Sequence, residues 1–251
     1  MKDLSYAFSG YRDKTGGKEV SDSSNPKAVL FVGGAAISNW DISAATSLRA
    51  TFSSAAEFNA DLRNWDTSRV SDLTNTFNAA KRFAATGLDL WKTSLVTTMW
   101  QTFSGASEMN IDLGKWDVAK VVSLGSAFTT ALKFTGSGLS LWITTSLTTL
   151  DSTFEGASAI TSIDLSKWDV SKVVTMKETF RGASKMNAQI STWDMAAVTS
   201  LHGTWYGANK FNADVSGFDV SKVRCSVRLC HLSIRVRLYS RFVCGRYDIL
   251  L

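Results

Sequence analysis

The chain is expected to fold as an α/β solenoid, a right-handed stack of short coils, each with one short parallel strand and one helical or 3-10 segment. Three observations predict it. An aromatic anchor returns at Trp40, Trp65, Trp91, Trp116, Trp142, Trp168, Trp193 and Phe218, at intervals of 25 or 26 residues. Twelve residues after each tryptophan stands a second aromatic (Phe52, Phe77, Phe103, Phe128, Phe154, Phe180, Trp205), and three further on always an alanine, from Ala55 to Ala208. Three beyond the alanine comes a large apolar residue: Phe58, Phe83, Met109, Phe134, Ile160, Met186 or Phe211. A fixed period of this length means stacked units that bury one another's apolar faces.

The strand is predicted from alternation. In MNIDL, Met109, Ile111 and Leu113 fall on one face, as a half-buried strand requires. Equivalent positions place strands near residues 60–62, 111–113, 163–165, 188–190 and 213–215. The helical segment is predicted from the stripe Val70, Leu73, Phe77, Ala80, Phe83, whose steps are 3, 4, 3 and 3. Asp66 or Ser68 stands where a side-chain oxygen can cap that segment, so the Trp-Asp pair reads as a turn and cap rather than as a ligand pair. The interval of 25 or 26 is decided between the large apolar residue and the next leucine. Phe58 to Leu62 is four residues, and Phe83 to Leu88 is five. Glycines in FAATGLDLW and FTGSGLSLW accommodate a turn there. The recurring alanine marks close approach of neighbouring coils, and the aromatics stack, each burying roughly 150–250 Å². Seven coils at about 4.8 Å each make a rod on the order of 35 Å long.

Four regions follow. Residues 1–12 are a partial repeat, because Leu4 and Phe8 have the spacing of Leu48 and Phe52. Residues 13–34 are a polar insertion loop containing RDKTGGKEVSDSSNPKA. Its GGKE lacks the spacing of a phosphate loop and has Glu19 where Ser or Thr is needed. Residues 35–223 are the array. Residues 224–251 are a tail rich in Arg and Cys, with Ser226, Cys230 and Ser233 where the repeat has Leu or Met, Phe and Ala. The tail reads either as a cap or as a reading-frame artefact. The abrupt change of composition favours the artefact, with a loosely packed tail.

Charge and cysteine narrow the function. Of 27 Lys+Arg and 22 Asp+Glu, the tail holds six Arg and one Asp, which leaves the first 223 residues with 21 of each sign. The net charge of +5 is therefore no basic footprint on the array, and no nucleic-acid partner is expected. Cys225, Cys230 and Cys244 all lie in the tail, and with His231 they make a spacing that fits no standard structural zinc site. No apolar run approaches 18 residues, so no membrane span is expected. The opening MKDLSYAFSGYRD has no apolar segment of a secretory signal.

Candidate chemistry is sparse. His202 follows Leu201 on the polar side of the stripe and reads as a solvated side chain. No catalytic constellation, cofactor or metal site is expected. One outward ladder precedes the strand leucines: Asp61, Gly87, Asp112, Gly138, Asp164, Gln189, Asp214. Its members Asp61, Asp112, Asp164, Gln189 and Asp214 are tentative surface residues, either a divalent-cation or ligand face or, the favoured reading, a solvated edge. The glycines between them spare neighbouring strands a like-charge contact. A second ladder, Thr51, Thr76, Thr102, Thr153, Thr179 and Thr204, raises ice binding, against which its place on the helical segment speaks.

The pattern F-x2-A-x2-F-N-x-D-[IL]-S-x-W-D-x-S-x-V-x2-[ML]-x3-F, carried by FNADLRNWDTSRVSDLTNTF and KMNAQISTWDMAAVTSLHGTW, resembles the BspA-like leucine-rich repeat surface proteins of the DUF285 type over about residues 35–223. Trp91 and Trp142 depart from it, being followed by Lys92 and Ile143 instead of Asp. The resemblance implies an extracellular or surface-displayed, non-enzymatic array acting in adhesion, with a protein or glycan ligand. Exposed solenoid ends, with their unpaired strand edges, also predict end-to-end association. The alternative is a structural spacer without a specific ligand. Variable aromatics and charges on the outward face favour binding; the monotony of the Asp ladder favours a spacer.

Overall fold

The computed structural model describes residues 3–9, 30–34 and 36–223. The tail 224–251, with its two readings, and most of the 13–34 insertion lie outside the described residues. Successive repeats lie side by side and pair in parallel. One column of bridges runs Asp3, Ser47, Asp72, Thr98, Ser123, Thr149, Thr175, Ser200, one residue per repeat. A second column holds the two strands long enough to name, β1 (Ser162–Asp164) and β2 (Asn187–Gln189), parallel with Ile163 opposite Ala188.

The expected strands near 163–165 and 188–190 correspond to β1 and β2; those near 60–62 and 111–113 do not form. Leu62 and Leu113 each donate one backbone N–H to the next repeat, to Thr86 O and Ser137 O at 3.1 Å. Those partner repeats carry short 3-10 turns at Leu88–Leu90 and Leu139–Leu141, which bend the backbone away before a second bond can form. Residues 213–215 form no strand either.

The helical expectation is also corrected: the described residues contain no α-helix. The stripe from Leu48 to Ala55 is a chain of overlapping turns. Thr51 N–H donates to Leu48 O, Ser53 N–H to Ala50 O, and Ala55 N–H to Phe52 O. Between them, the N–H groups of Leu48, Ala50, Phe52 and Ser54 point along the stack, to Asp72, Thr74, Thr76 and Asn78. Ala50 and Ser54 have φ of 51° and 61°, the left-handed third residue of a type II turn. The same pair recurs at Asn75 and Ala79, Gln101 and Gly105, Ser126 and Thr130, Ser152 and Gly156, and Glu178 and Gly182. Spacing alone does not separate this ribbon from a helix, because both put every third or fourth residue inside. The alternation of φ sign sends half the N–H groups to the neighbouring repeat, where a helix would keep them.

Inside, aromatic anchors stack on their equivalents through most of the array. The phenylalanine column runs Phe8, Phe52, Phe77, Phe103, Phe128, Phe154, Phe180 with centroids 5.5–5.7 Å apart. Trp65, Trp91 and Trp116 stack at 6.2 Å, and every tryptophan from Trp65 to Trp193 except Trp100 is buried. Trp40 is half-exposed, because the interrupted repeat before it supplies no tryptophan to cover it. Each buried indole from Trp65 to Trp193 also has its donor satisfied. Trp65 Nε1 donates to Ile37 O (2.8 Å), Trp91 to Leu62 O, Trp116 to Leu88 O, Trp142 to Leu113 O, Trp168 to Leu139 O and Trp193 to Leu165 O. Trp205 takes a phenylalanine position, and its Nε1 is buried without a partner.

The first repeat is interrupted rather than short. Phe8 stacks on both Phe52 (5.5 Å) and Phe31 (4.5 Å), and Phe31 stacks on Phe58 (5.9 Å). Phe31 thus resumes the pattern after the insertion. The spacing Phe31, Ile37, Trp40 carried that signal, one residue longer than Phe83, Leu88, Trp91.

Candidate functional site

The outward ladder lies where expected but is chemically occupied. Asp112, Asp164, Gln189 and Asp214 are exposed and Asp61 is half-buried, while Leu62, Leu113, Leu165, Ile190 and Val215 point in. Each carboxylate folds back on its own chain. Asp61 Oδ1 accepts Arg63 N–H (3.0 Å), Asp112 Oδ1 accepts Gly114 N–H (2.7 Å), and Asp164 and Asp214 accept the N–H of Ser166 and Ser216 (2.9 Å each). Asp61 also pairs with the Arg63 guanidinium (2.6 Å). These are Asx turns, local backbone closures made by a side chain. Asp164 and Gln189 are register partners, but no two ladder carboxylates occupy adjacent repeats. Among the described residues no group of three His, Cys, Asp or Glu is placed to hold a metal ion.

The glycines in this ladder have a steric role. A Cβ at Gly138 would lie 2.0 Å from Gly114 N and 2.4 Å from Asp112 Oδ1; at Gly87 it would lie 2.3 Å from Arg63 N. Both have φ near +86° (88° and 85°). Close approach and a left-handed backbone require glycine there, whatever the charges do.

The aspartates after the tryptophan anchors, and Asp219 after Phe218, act in the same way as the ladder. Asp66 Oδ1 accepts Ser68 N–H (3.1 Å) and Asp169 Oδ1 accepts Ser171 N–H (3.0 Å), as do Asp41, Asp117, Asp194 and Asp219 with the residue two beyond. They close turns, as expected of the Trp-Asp pair, but cap no helix, since none follows among the described residues. The hydroxyls of Ser43, Ser68 and Ser171, and then their N–H groups, hold the carboxyls of Asp41, Asp66 and Asp169 below the ordinary value of 3.8; Ser166 does the same for Asp164.

The threonine ladder is internal. Thr51, Thr76, Thr102, Thr153, Thr179 and Thr204 are completely buried. Thr76 Oγ1 lies 2.7 Å from Leu73 O in its own repeat and 3.1 Å from Leu48 O in the preceding one. Thr51, Thr153 and Thr179 make the same pair of contacts. A hydroxyl shared between two carbonyls inside the stack fastens one repeat to the next and meets no ligand.

What remains outward and varied is a column that spacing had not singled out, two residues beyond each bridge: Arg49, Thr74, Trp100, Gly125, Asp151, Lys177, His202. Thr74 and Gly125 are low in it; Trp100 and Lys177 project. Arg49 reaches Asp72 (3.8 Å). Asp151 Oδ1 accepts Thr175 Oγ1–H (2.6 Å) and Lys177 N–H (2.8 Å). His202 is half-buried in this column, and its N–H faces Ser200 Oγ at 3.5 Å. The signal was available: at this position seven repeats show seven residue types, while three positions later aromatics alone occur.

No helix among the described residues is long and apolar enough to cross a membrane. A family model described as "Mycoplasma protein of unknown function, DUF285" matches residues 27–142 and again 122–231. No curated protein matches the chain.

Proposed function

This chain belongs to the DUF285 family, and we propose that it is a non-enzymatic solenoid, of the right-handed leucine-rich-repeat-like type, that presents an extended surface for adhesion to an extracellular protein or glycan. The observation that carries the reading is the contrast between its polar columns. Threonine and aspartate columns spend their oxygens on backbone N–H and C=O groups of the repeats themselves. The column from Arg49 to His202 changes residue at every step, which a stack needing only to hold itself together does not require. Variation on an outward column over an invariant interior is how repeat proteins build recognition surfaces. Surface display and an extracellular setting belong to the same proposal, on the strength of the resemblance to BspA-like proteins. The spacer reading draws on the aspartate ladder, which is uniform and closed on itself.

The test is to replace Trp100, Lys177 and His202 by serine and Asp151 by asparagine, which keeps its Oδ1 acceptor for Thr175 and Lys177, together in the full chain. Wild type and variant are then compared for retention on immobilised extracellular-matrix proteins and oligosaccharides. Adhesion through this column gives retention that the variant loses while its melting transition stays put. Equal retention, or none by either protein, supports the spacer.

A further inference from the structure

We propose that Trp100 and Asp151 form a subsite for one neutral pyranose ring of an oligosaccharide; this rests on the presenting-surface reading and names its ligand. Trp100 is 42% exposed, although buried indoles line the same stack. Among the described residues its Nε1–H has no partner, whereas the buried tryptophans from Trp65 to Trp193 all donate to a carbonyl. Tryptophan left half in water with an open donor is the amphipathic arrangement found at recognition surfaces.

The ring is also held in place. It lies over Gly125 of the next repeat: a Cβ added there would be 2.8 Å from Trp100 Cδ1 and 3.2 Å from Nε1. Glycine leaves room for the pyrrole side of the indole against the backbone, and the rest of the ring stays exposed to solvent. Its own N–H is fixed by Thr98 Oγ1 (3.3 Å). Beside it, Ser123 Oγ lies 3.5 Å from the same Gly125 position.

One repeat beyond Gly125 stands Asp151. Its Oδ1 is taken by Thr175 and Lys177, which orients the carboxylate and leaves Oδ2 to accept. With repeats about 4.8 Å apart, two steps separate Trp100 from Asp151 by roughly 10 Å along the stack. A pyranose has one apolar C–H face and a rim of hydroxyls. Its C–H face fits the negative face of the indole, and rim hydroxyls then reach Ser123 and the Asp151 carboxylate, an acceptor of charge-assisted hydrogen bonds. A carboxylated sugar would meet Asp151 as a like charge, so the ring is neutral.

The experiment is an ¹⁵N titration of the full chain with cellohexaose, chitohexaose and a polyuronate, reading the indole N–H signals and assigning Trp100 by Trp100→Phe. The expected result is that a neutral hexasaccharide moves the Trp100 signal selectively. Trp100→Ala should weaken binding at least tenfold and Asp151→Asn severalfold, both with unchanged melting, and the polyuronate should bind least. No movement of the Trp100 signal with either neutral hexasaccharide, or binding that survives Trp100→Ala, overturns the subsite. If the array still holds an immobilised partner through other column residues, only the subsite falls; if the full chain is retained by nothing, the surface reading falls with it.

Discussion

Two neighbouring corners of the stack reach the same tryptophan by different routes. From Asp61 to Trp65 the chain closes on a carboxylate: Asp61 Oδ1 takes Arg63 N–H, and Trp65 N–H returns to Leu62 O (3.1 Å). From Gly87 to Trp91 the extra residue is absorbed by a left-handed glycine and a 3-10 turn over Leu88–Leu90, and Trp91 N–H returns to Leu88 O (3.1 Å). Both indoles are buried and stack at 6.2 Å. What is selected, then, is the position of the indole and the leucine carbonyl that receives it. The corner is free to vary in length and chemistry so long as those two come out in register. A third case supports this: the repeat of Trp168 also has the longer corner, yet uses β1 and the Asp164 turn without a glycine.

The comparison can be broken most severely at the glycine. Gly138→Ala puts a methyl onto Gly114 backbone at 2.0 Å in a left-handed conformation, and strain plus overpacking should cost about 2–4 kcal/mol. Gly217→Ala, where nothing lies within 4 Å, should stay within about 0.5 kcal/mol. Urea melts giving equal costs would mean that the corner yields more readily than its geometry implies.

The alanine column should ignore the corner type. Ala131→Leu, in a carboxylate-corner repeat, and Ala157→Leu, in a glycine-corner repeat, should each cost about 1–3 kcal/mol by overpacking. Lys115→Leu on the surface should change little, within about 0.5 kcal/mol. A large difference between the two alanine variants would show that the corners reach into the core after all.

A gain is expected at Ala127, which is buried in the position where other repeats carry the fastening threonine. Ala127→Thr supplies a hydroxyl for the carbonyls of Leu124 and Met99 and should add about 0.5–1.5 kcal/mol. A lower urea midpoint for this variant would show that the site has no room for the hydroxyl. The smallest effect is titration. Asp66 and Asp169 have folded values below 3.8, so their contribution is present above that value and fades as pH falls through the lower folded value. Protection of the Ser68 and Ser171 amides, taken relative to their intrinsic exchange rates, should fall below about pH 4, while the corresponding amides after Lys92 and Ile143 should keep theirs. Identical responses at both kinds of corner would remove the carboxylates from the account.

Much of the stack could be read from residue spacing, because an identical neighbour every 25 or 26 residues leaves few ways to bury Trp65, Phe77 and Ala80 together. The backbone that carries them was harder to read. Val70, Leu73, Phe77 and Ala80 fall inside on either a helix or a chain of turns. The deciding fact, positive φ at Asn75 and Ala79 (57° and 55°), occurs at residues that do not ordinarily announce it. Glycine occupies such a place at Gly105, Gly156, Gly182 and Gly207, but not in every repeat, so it does not mark the turn by itself. The strands shifted for a related reason: Leu62 faces a 3-10 turn in the next repeat, and strand pairing depends on that partner as much as on Leu62's own segment. In the outward column, variation was visible at Trp100 and Asp151, but only the structure places Trp100 against the bare backbone of Gly125 and the Asp151 carboxylate on Thr175 and Lys177.

The tryptophan pile has an optical consequence. Trp65, Trp91 and Trp116 stand nearly parallel, with interplanar angles of 5° and 3°, and Trp142, Trp168 and Trp193 follow at 5.9 and 6.5 Å with angles of 11° and 14°. Chromophores that close and that aligned do not absorb independently; their transitions mix, and a twisted pile of them rotates polarised light strongly in the near ultraviolet. The folded array should therefore display an intense tryptophan circular dichroism band whose strength grows with the number of stacked indoles. Replacing Trp91 alone by phenylalanine should diminish that band by more than one indole's share, since Trp65 and Trp116 both stack on it.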